Sequence, residues 1–393
     1  MNEKKVAILT MLEKGEIDAG QAFAMLSQVK DTPEPPPVQA SPPTQAPPPV
    51  NHNQGNYNHH HEEHSWIEET VDGISSALSS VFEEIKEMDI GHEISSFFGG
   101  GFTQHKNTQS FVSEPILMGQ GQAVIGGLSI IGLNAPVTVV GYPGDTIKLT
   151  VNYNARHADA EMVFTSEGGH YKLIYDNKRF RSVEIYCQVP QAVIKQLHCA
   201  TKNAGLTIEN LATGNCQLYT TNAKLMAHAV SATTFVAQTT NGGLHASNIA
   251  GQNIHLFTTN AKVRAENIKA DTVEIKTSNA SVKPTGVDAN KIIITTSNAS
   301  LKLEEIFNGM SLDFTTQRHI QARTSNSNIR FHAPHGVGMF VEARGADLSN
   351  KSPEMHFEKI DKKLYHGESA NYHVATHKIN VSLGTSHGSI KIV

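Results

Sequence analysis

The 393-residue chain has room for two or three domains, and with 18% charged residues and a net charge of -5 it has no basic excess with which to hold nucleic acid. Its three cysteines, Cys187, Cys199 and Cys216, form no CxxC, so neither a disulfide framework nor a zinc site is supported. In "MNEKKVAILTMLEKGEIDAG" charges interrupt the apolar run at once, which argues against a classical signal peptide, and no stretch approaches the about 18 apolar residues of a membrane-spanning helix.

Residues 1–30 read as a small helical hairpin. Val6, Leu9 and Leu12 share a face of the first helix, and Gly15 closes it. Asp18, with Gln21 three places on, caps the second helix, whose apolar face is Ala22, Phe23 and Leu26. Helices this short bury little area, so the pair is expected to dock on a partner or on another copy; the alternative is a weakly ordered appendage. Residues 31–64 form a linker. "TPEPPPVQASPPTQAPPP" is an extended Pro-rich spacer, and "NHNQGNYNHHHEEH" gathers His52, His59, His60, His61 and His64. A mobile linker does not preorganise imidazoles around a metal, so this run reads as a solvated polar stretch, and no metal or other cofactor is expected.

Residues 65–98 contain one amphipathic helix. Ile67, Val71, Ile74, Leu78, Val81, Ile85 and Met88 alternate spacings of four and three, the pattern of a heptad seam. Burying such side chains at about 1.5–3 kcal/mol each supports self-association. A helix lying on a membrane, anchored by Trp66, Phe82, Phe97 and Phe98, is the rival. Its polar positions are acidic (Glu68, Glu69, Asp72, Glu83, Glu84, Glu87), which opposes binding to anionic lipid. Docking of the helix on the β-domain is a third reading, and Gly73 weakens any helix here.

Residues 99–200 are β-rich and irregular and are placed to cap the amino-terminal end of a repeat domain. "APVTVVGYPGDTIKLTVNY" gives a strand, a turn and a strand, and "YKLIYD" and "RSVEIYCQVP" give further strands. Over 201–393 one line of sequence recurs. Asn203, Asn222, Asn241, Asn260, Asn279 and Asn298 stand at one fixed spacing, with Thr201, Thr220, Thr239, Thr258, Thr277 and Thr296 two places before them. Gln317 and Thr315 continue both series if a bulge falls within "GMSLDFTT". Apolar columns run through Leu206, Leu225, Leu244, Val263, Val282 and Leu301, and through Leu211, Val230, Ile249, Ile268, Val287 and Ile306. Within a unit residues alternate, Val263 and Ala265 to one side and Lys262 and Arg264 to the other, and no 3.6-residue period competes. The expected fold is therefore mainly β, a solenoid of two-strand coils stacked about 4.8 Å apart.

Asn accepts the left-handed backbone of a tight corner, and stacked Asn side chains can bond in a ladder. The small residue after each Asn (Ala223, Gly242, Ala261, Ala280, Ala299) leaves room at the bend. A Thr array can also offer a flat surface to a repetitive ligand such as glycan or ice, but columns beside obligatory corners are better explained as the structural ladder holding the stack together.

No Walker loop, GxSxG, HExxH or Cys-His signature is present, so no catalytic residues are expected. His228, His245 and His255 do not share the repeat spacing and so make no column. The recurring Thr-Ser/Thr-Asn-Ala/Gly turns, with "GLNAPVTVVGYPGD" and the front "MLEKGEIDAGQAFAMLSQV", resemble the β-strand-repeat (putative adhesin) proteins of Gram-positive bacteria that carry a SHOCT-like helical hairpin, the LiaX and YvlB group. In that resemblance Ala mostly replaces the Gly usual after Asn. The resemblance implies a role in the envelope-stress response to membrane-active antibiotics and cationic peptides, and it brings no catalytic residues.

Three functional expectations result. The first is a non-enzymatic regulator or scaffold of that response, with protein or peptide partners of the envelope and self-association through Ile67, Val71, Ile74, Leu78, Val81 and Ile85. The second is an adhesin-like module binding wall glycan, and the third a solenoid polymerising end to end. The location expected is cytoplasmic or peripheral to the membrane, and the resemblance leaves surface exposure open. No nucleic-acid partner is expected.

Overall fold

Period-two alternation between turns puts most of the described chain into strands, whose stacking is given by a computed structural model. The described residues are 107–116, 124–191, 193–309 and 317–393, all within one unit spanning 87–393. The hairpin of 1–30, the linker of 31–64, the heptad helix of 65–98 and the bulge expected within 310–316 lie outside them. In chain order the strands are β1 (Asn107–Val112), β2 (Val124–Gly132), β3 (Val137–Tyr142), β4 (Lys148–Ala155), β5 (Met162–Glu167), β6 (His170–Tyr175), β7 (Phe180–Pro190), β8 (Val193–Thr201), β9 (Leu206–Thr220), β10 (Leu225–Thr239) and β11 (Leu244–Thr258). They continue as β12 (Val263–Lys276), β13 (Val282–Thr296), β14 (Leu301–Leu303), β15 (Arg318–Thr324), β16 (Ile329–Phe331), β17 (Gly338–Arg344), β18 (Asp347–Asn350), β19 (Met355–Lys359), β20 (Leu364–Ser369), β21 (Lys378–Thr385) and β22 (Ser389–Ile392). No helix among the described residues is long and apolar enough to cross a membrane.

Strands β9 to β13 pair in parallel and in register, so Leu225 lies between Leu206 and Leu244, and Val263 lies against Val282. Each coil is one long bent strand rather than the two short strands expected. The ladder of β10 skips Ala229 and Thr233, which divides the coil into three straight runs. The first bend is made by a single left-handed residue, with φ of 57° at Asn210, 52° at Ala229, 54° at Asn248 and Asn267, and 61° at Gly286. The left-handed corner assigned to the Asn203 series therefore belongs to a different column, seven places on. The Asn of the ladder turns without positive φ.

The expected apolar columns line the interior. Leu206, Leu225, Leu244, Val263, Val282 and Leu301 are at most 1% exposed, and Leu211, Val230, Ile249, Ile268, Val287 and Ile306 are buried behind them. Side-chain volumes compensate within a coil. Phe235 is fully buried two places from the small Ala237, where β9 has Cys216 and Leu218.

Both ends of the series depart from expectation. The coils begin before residue 201, because β2 pairs in parallel with β8, and β3 with β9, so residues of the presumed cap form a first coil. Outside it β6 lies on β2 and β7 on β3, and antiparallel strands cover these: β4 on β7, β1 on β4, β5 on β6. At the other end Thr296 pairs with Thr324, not with Thr315, and the Asn after Asn298 is Asn326, 28 residues on rather than 19. Neither Thr315 nor Gln317 continues the series, because this coil carries nine extra residues. Beyond it the order in space leaves the order in the chain: β21 lies between β15 and β17, and β22 between β16 and β18. Antiparallel β20 and β19 close this end.

Candidate functional site

The repeated corner is held by side chains. Each ladder Asn donates its Nδ2 to the Oδ1 of the preceding coil, at 2.7 Å from Asn222 to Asn203, 2.8 Å from Asn241 to Asn222, and 2.7 Å from Asn260, Asn279 and Asn298 to their predecessors. The file extends both ways, since Asn203 donates to Asn134 at 2.7 Å and Asn326 to Asn298 at 2.8 Å. Head-to-tail amide bonds polarise one another along such a file. Asn134 stands in "LNAP", a corner that reads in the sequence as part of the cap.

The Thr residues face the interior. Thr220, Thr239, Thr258, Thr277 and Thr296 are at most 6% exposed, and their hydroxyls donate to backbone carbonyls at the corner of the preceding coil, as from Thr296 to Ser278 at 3.4 Å. A Thr surface for glycan or ice is therefore not available. The column tightens the corner instead, with Thr239 also accepting from the Gly242 amide at 3.1 Å.

What the coils do present outward is a file of cations on the first straight run. His245 lies beside Arg264, and Arg264 beside Lys283. Val282 pairs with Leu301, which places Lys302 next; Arg330 stands beyond Lys302, and Lys391 beyond Arg330. Five cations, Arg264, Lys283, Lys302, Arg330 and Lys391, thus stand in successive layers about 4.8 Å apart. On one flank are carboxylates: Glu266 bonds His245 at 3.2 Å, Glu305 bonds Lys283 at 3.2 Å, and Glu304 pairs with Arg330. On the other flank, towards the corner, the column reads Lys224, Gly243, Lys262, Ser281, Ser300, Asn328 and Ser389, and meets its first carboxylate at Asp347, in the layer beyond Ser389. Gly243 leaves a notch between the two lysines, a depression of about 310 Å³ lined by Lys224, Gly243, Leu244, His245, Lys262 and Arg264. The file is legible in the sequence as "NAKVR", "NASVK", "NASLK", "NSNIR" and "HGSIK", each ending in a basic residue four places after the corner position. Attention to the corner alone passes over it.

The histidines are dispersed, each serving its own contact between coils. His228 Nδ1 bonds Ser247 at 2.9 Å, and His255 Nδ1 bonds Glu274 at 3.0 Å. Burial would raise the Glu274 carboxyl, but hydrogen bonds from His255 and from Lys276, at 2.6 Å, hold it below its ordinary value. Cys187, Cys199 and Cys216 are buried free thiols, and burial pushes each of them up, Cys199 to about 12, so they pack as small apolar groups rather than react. Among the described residues no group of three His, Cys, Asp or Glu is placed to hold a metal ion.

Comparison with known proteins reports on this architecture. Solved structures similar to the chain include a putative cell adhesion protein from Clostridium sporogenes, at 10% identity over 73% of this chain and 99% of that one, TM-score 0.21. A putative adhesin from Parabacteroides distasonis is similar at 7% identity, 74% and 98% coverage, TM-score 0.38. A putative lipid binding protein from the same species shows 12% identity, 73% and 97% coverage, TM-score 0.32. Such scores bear on neither ligand nor role. No curated protein matches the chain. The Toastrack DUF4097 family model matches residues 143–392, from the strands of the amino-terminal cap to β22, and the chain belongs to that family.

Proposed function

We propose that this protein is a non-enzymatic, adhesin-like binding module of the cell envelope that takes an extended ligand along the outward face of its coils. The observation that carries this reading is the register. In-register parallel coils repeat the same outward position at one spacing, and a rigid periodic face suits a periodic polymer rather than a small substrate. The described residues offer a shallow surface in place of an enclosed cavity with converging acid and base groups. The test is saturable co-sedimentation of the full-length protein with isolated wall and membrane fractions. Retention by walls is the expected result, and recovery wholly in the supernatant overturns the reading.

The finer role, regulation or scaffolding of the envelope-stress response from a peripheral position at the membrane, rests on the sequence resemblance and on the amino-terminal segments. In it the Ile67–Ile85 seam brings copies together and protein or peptide partners dock on the solenoid. Ile74→Glu with Leu78→Glu in the full chain should then lower the oligomer mass, and cells lacking the protein should respond differently to a membrane-active peptide. An unchanged mass removes the seam, and an unchanged response removes the regulatory role.

A further inference from the structure

The geometry points to a linear anionic glycopolymer as the ligand, a polyol or sugar chain with regularly spaced phosphate or carboxylate groups, bound along the file of Arg264, Lys283, Lys302, Arg330 and Lys391; this names the ligand class of the proposed binding module and rests on that reading.

Like charges placed directly opposite one another across a ladder oppose pairing. Here they recur in five successive layers, which span about 19 Å at 4.8 Å per step. Arg264, Lys302 and Lys391 make no ion pair among the described residues, and neither do Lys224 and Lys262 on the corner side. The carboxylates that do answer the file, Glu266, Glu304 and Glu305, all lie on the opposite flank. Over the five layers of the file the potential is therefore lopsided and positive towards the corner, and Asp347 on that side comes only in the layer after Ser389. There the neighbouring column offers Ser281, Ser300, Asn328 and Ser389, hydroxyl and amide groups that suit the alcohols of a polyol or sugar backbone. At the amino-terminal end of the file, the Gly243 notch between Lys224 and Lys262 is open to an anionic group in the next column.

The same face disfavours the other polyanions. A single-stranded nucleic acid is held by stacking on aromatic rings, and the outward positions of this run, Thr207, Met226, His245, Arg264, Lys283, Lys302, Arg330 and Lys391 with their two flanking columns, include no Phe, Tyr or Trp. A planar anionic membrane would meet the glutamates beside the file and a chain of net charge -5. A chain one column wide meets the cations alone.

The full-length protein is titrated with poly(glycerol phosphate) and with polygalacturonate, which separate phosphate from carboxylate as the source of charge. A single-stranded oligonucleotide of equal charge, phosphatidylglycerol vesicles and neutral dextran serve as comparisons. Binding to one or both anionic glycopolymers is expected, falling about a hundredfold between 50 and 200 mM salt, as release of about 0.7 counterion at each of five contacts requires. Lys302→Glu with Lys391→Glu should weaken binding at least tenfold. Lys269→Glu with Lys291→Glu, an equal charge change at exposed positions on other runs, should weaken it less than twofold. If the reversal unfolds the chain, Lys302→Gln with Lys391→Gln is read instead, with an unchanged melting temperature as the condition. Equal losses in both pairs of variants, or binding confined to oligonucleotide or vesicles, overturn the inference. If walls stripped of anionic polymer are retained as well as intact ones, this inference fails and the binding module stands; if intact walls are not retained at all, the module reading fails with it.

Discussion

A left-handed residue without glycine is the most local cost in this fold. Ala229 sits at φ 52° where the same position in other coils has Asn210, Asn248, Asn267 and Gly286, and an L-alanine in that region costs about 1–2 kcal/mol. Asn267 already donates its Nδ2 to Asn248 Oδ1 at 3.1 Å, so the column is a second, partial ladder. Ala229→Asn should relieve the strain and join Asn210 to Asn248, raising stability by about 1 kcal/mol in denaturant titration. No gain would mean that the bend is tuned to alanine. Gly242 presents the opposite case. Its column elsewhere carries Ala223, Ala261, Ala280 and Ala299, and periodicity alone would allow alanine there. In the folded chain a Cβ at Gly242 would stand 1.7 Å from the carbonyl oxygen of Ala223, so Gly242→Ala should lower stability by about 1–3 kcal/mol. A native melting temperature in that variant would show that the corner relaxes at little cost. The identity of these columns could be read from spacing, but their backbone conformations could not. Asn has two uses at a corner, side-chain ladder and positive φ, and sequence does not say which Asn takes which.

For the strands, what alternation revealed was the inside and the outside of each coil. Val263 and Ala265 are indeed buried and Lys262 and Arg264 exposed. It did not reveal that a coil is one continuous strand with two bends. A one-residue corner breaks the alternation by a single place and leaves no cluster of turn residues to mark it. The long step from Asn298 to Asn326 was hidden for a similar reason. "TSNSN" carries the turn signal, but the extra residues before it make it look like an echo outside the series. Contacts between coils also tie stability to pH. The Glu274 carboxyl, bonded by His255 and Lys276, titrates below its unfolded value, so the unfolded chain binds the extra proton as acid is added. Its contribution is complete above the unfolded carboxylate range of about 4.3 and is lost as pH falls through the lower folded value. Glu274→Gln should therefore flatten the fall in stability below about pH 4.5, measured as unfolding midpoints across pH. Parallel curves for the two proteins would show that the carboxylate is not held by its neighbours.

Across the solenoid as a whole, a stack of identical coils has the problem of its ends, where open backbone groups invite pairing with another chain. Both ends here finish in antiparallel strands that become short and polar. β1 is mostly exposed, and β19, "MHFEK", is charged. These coverings were legible only as β-rich, irregular sequence, because pairing between segments far apart in the chain has no local signature. They also bear on the end-to-end polymer, since the ends present antiparallel edges rather than bare coils.

The placement of β21 and β22 between strands that precede them in the chain has a consequence for how the protein is made. From β9 to β15 each coil can add to the one already formed as the chain lengthens, since its template is always the segment just completed. After β16 this order fails. β17 can pair with β20 as soon as that strand exists, but neither β17 nor β18 can join the stack until residues 378–392 exist, because their parallel neighbours are β21 and β22. During synthesis the growing stack must therefore pause with β15 and β16 as an open rim, and the last layers assemble together in one late, non-local step. That interval is when the nascent protein is most prone to pair with a neighbour in place of itself.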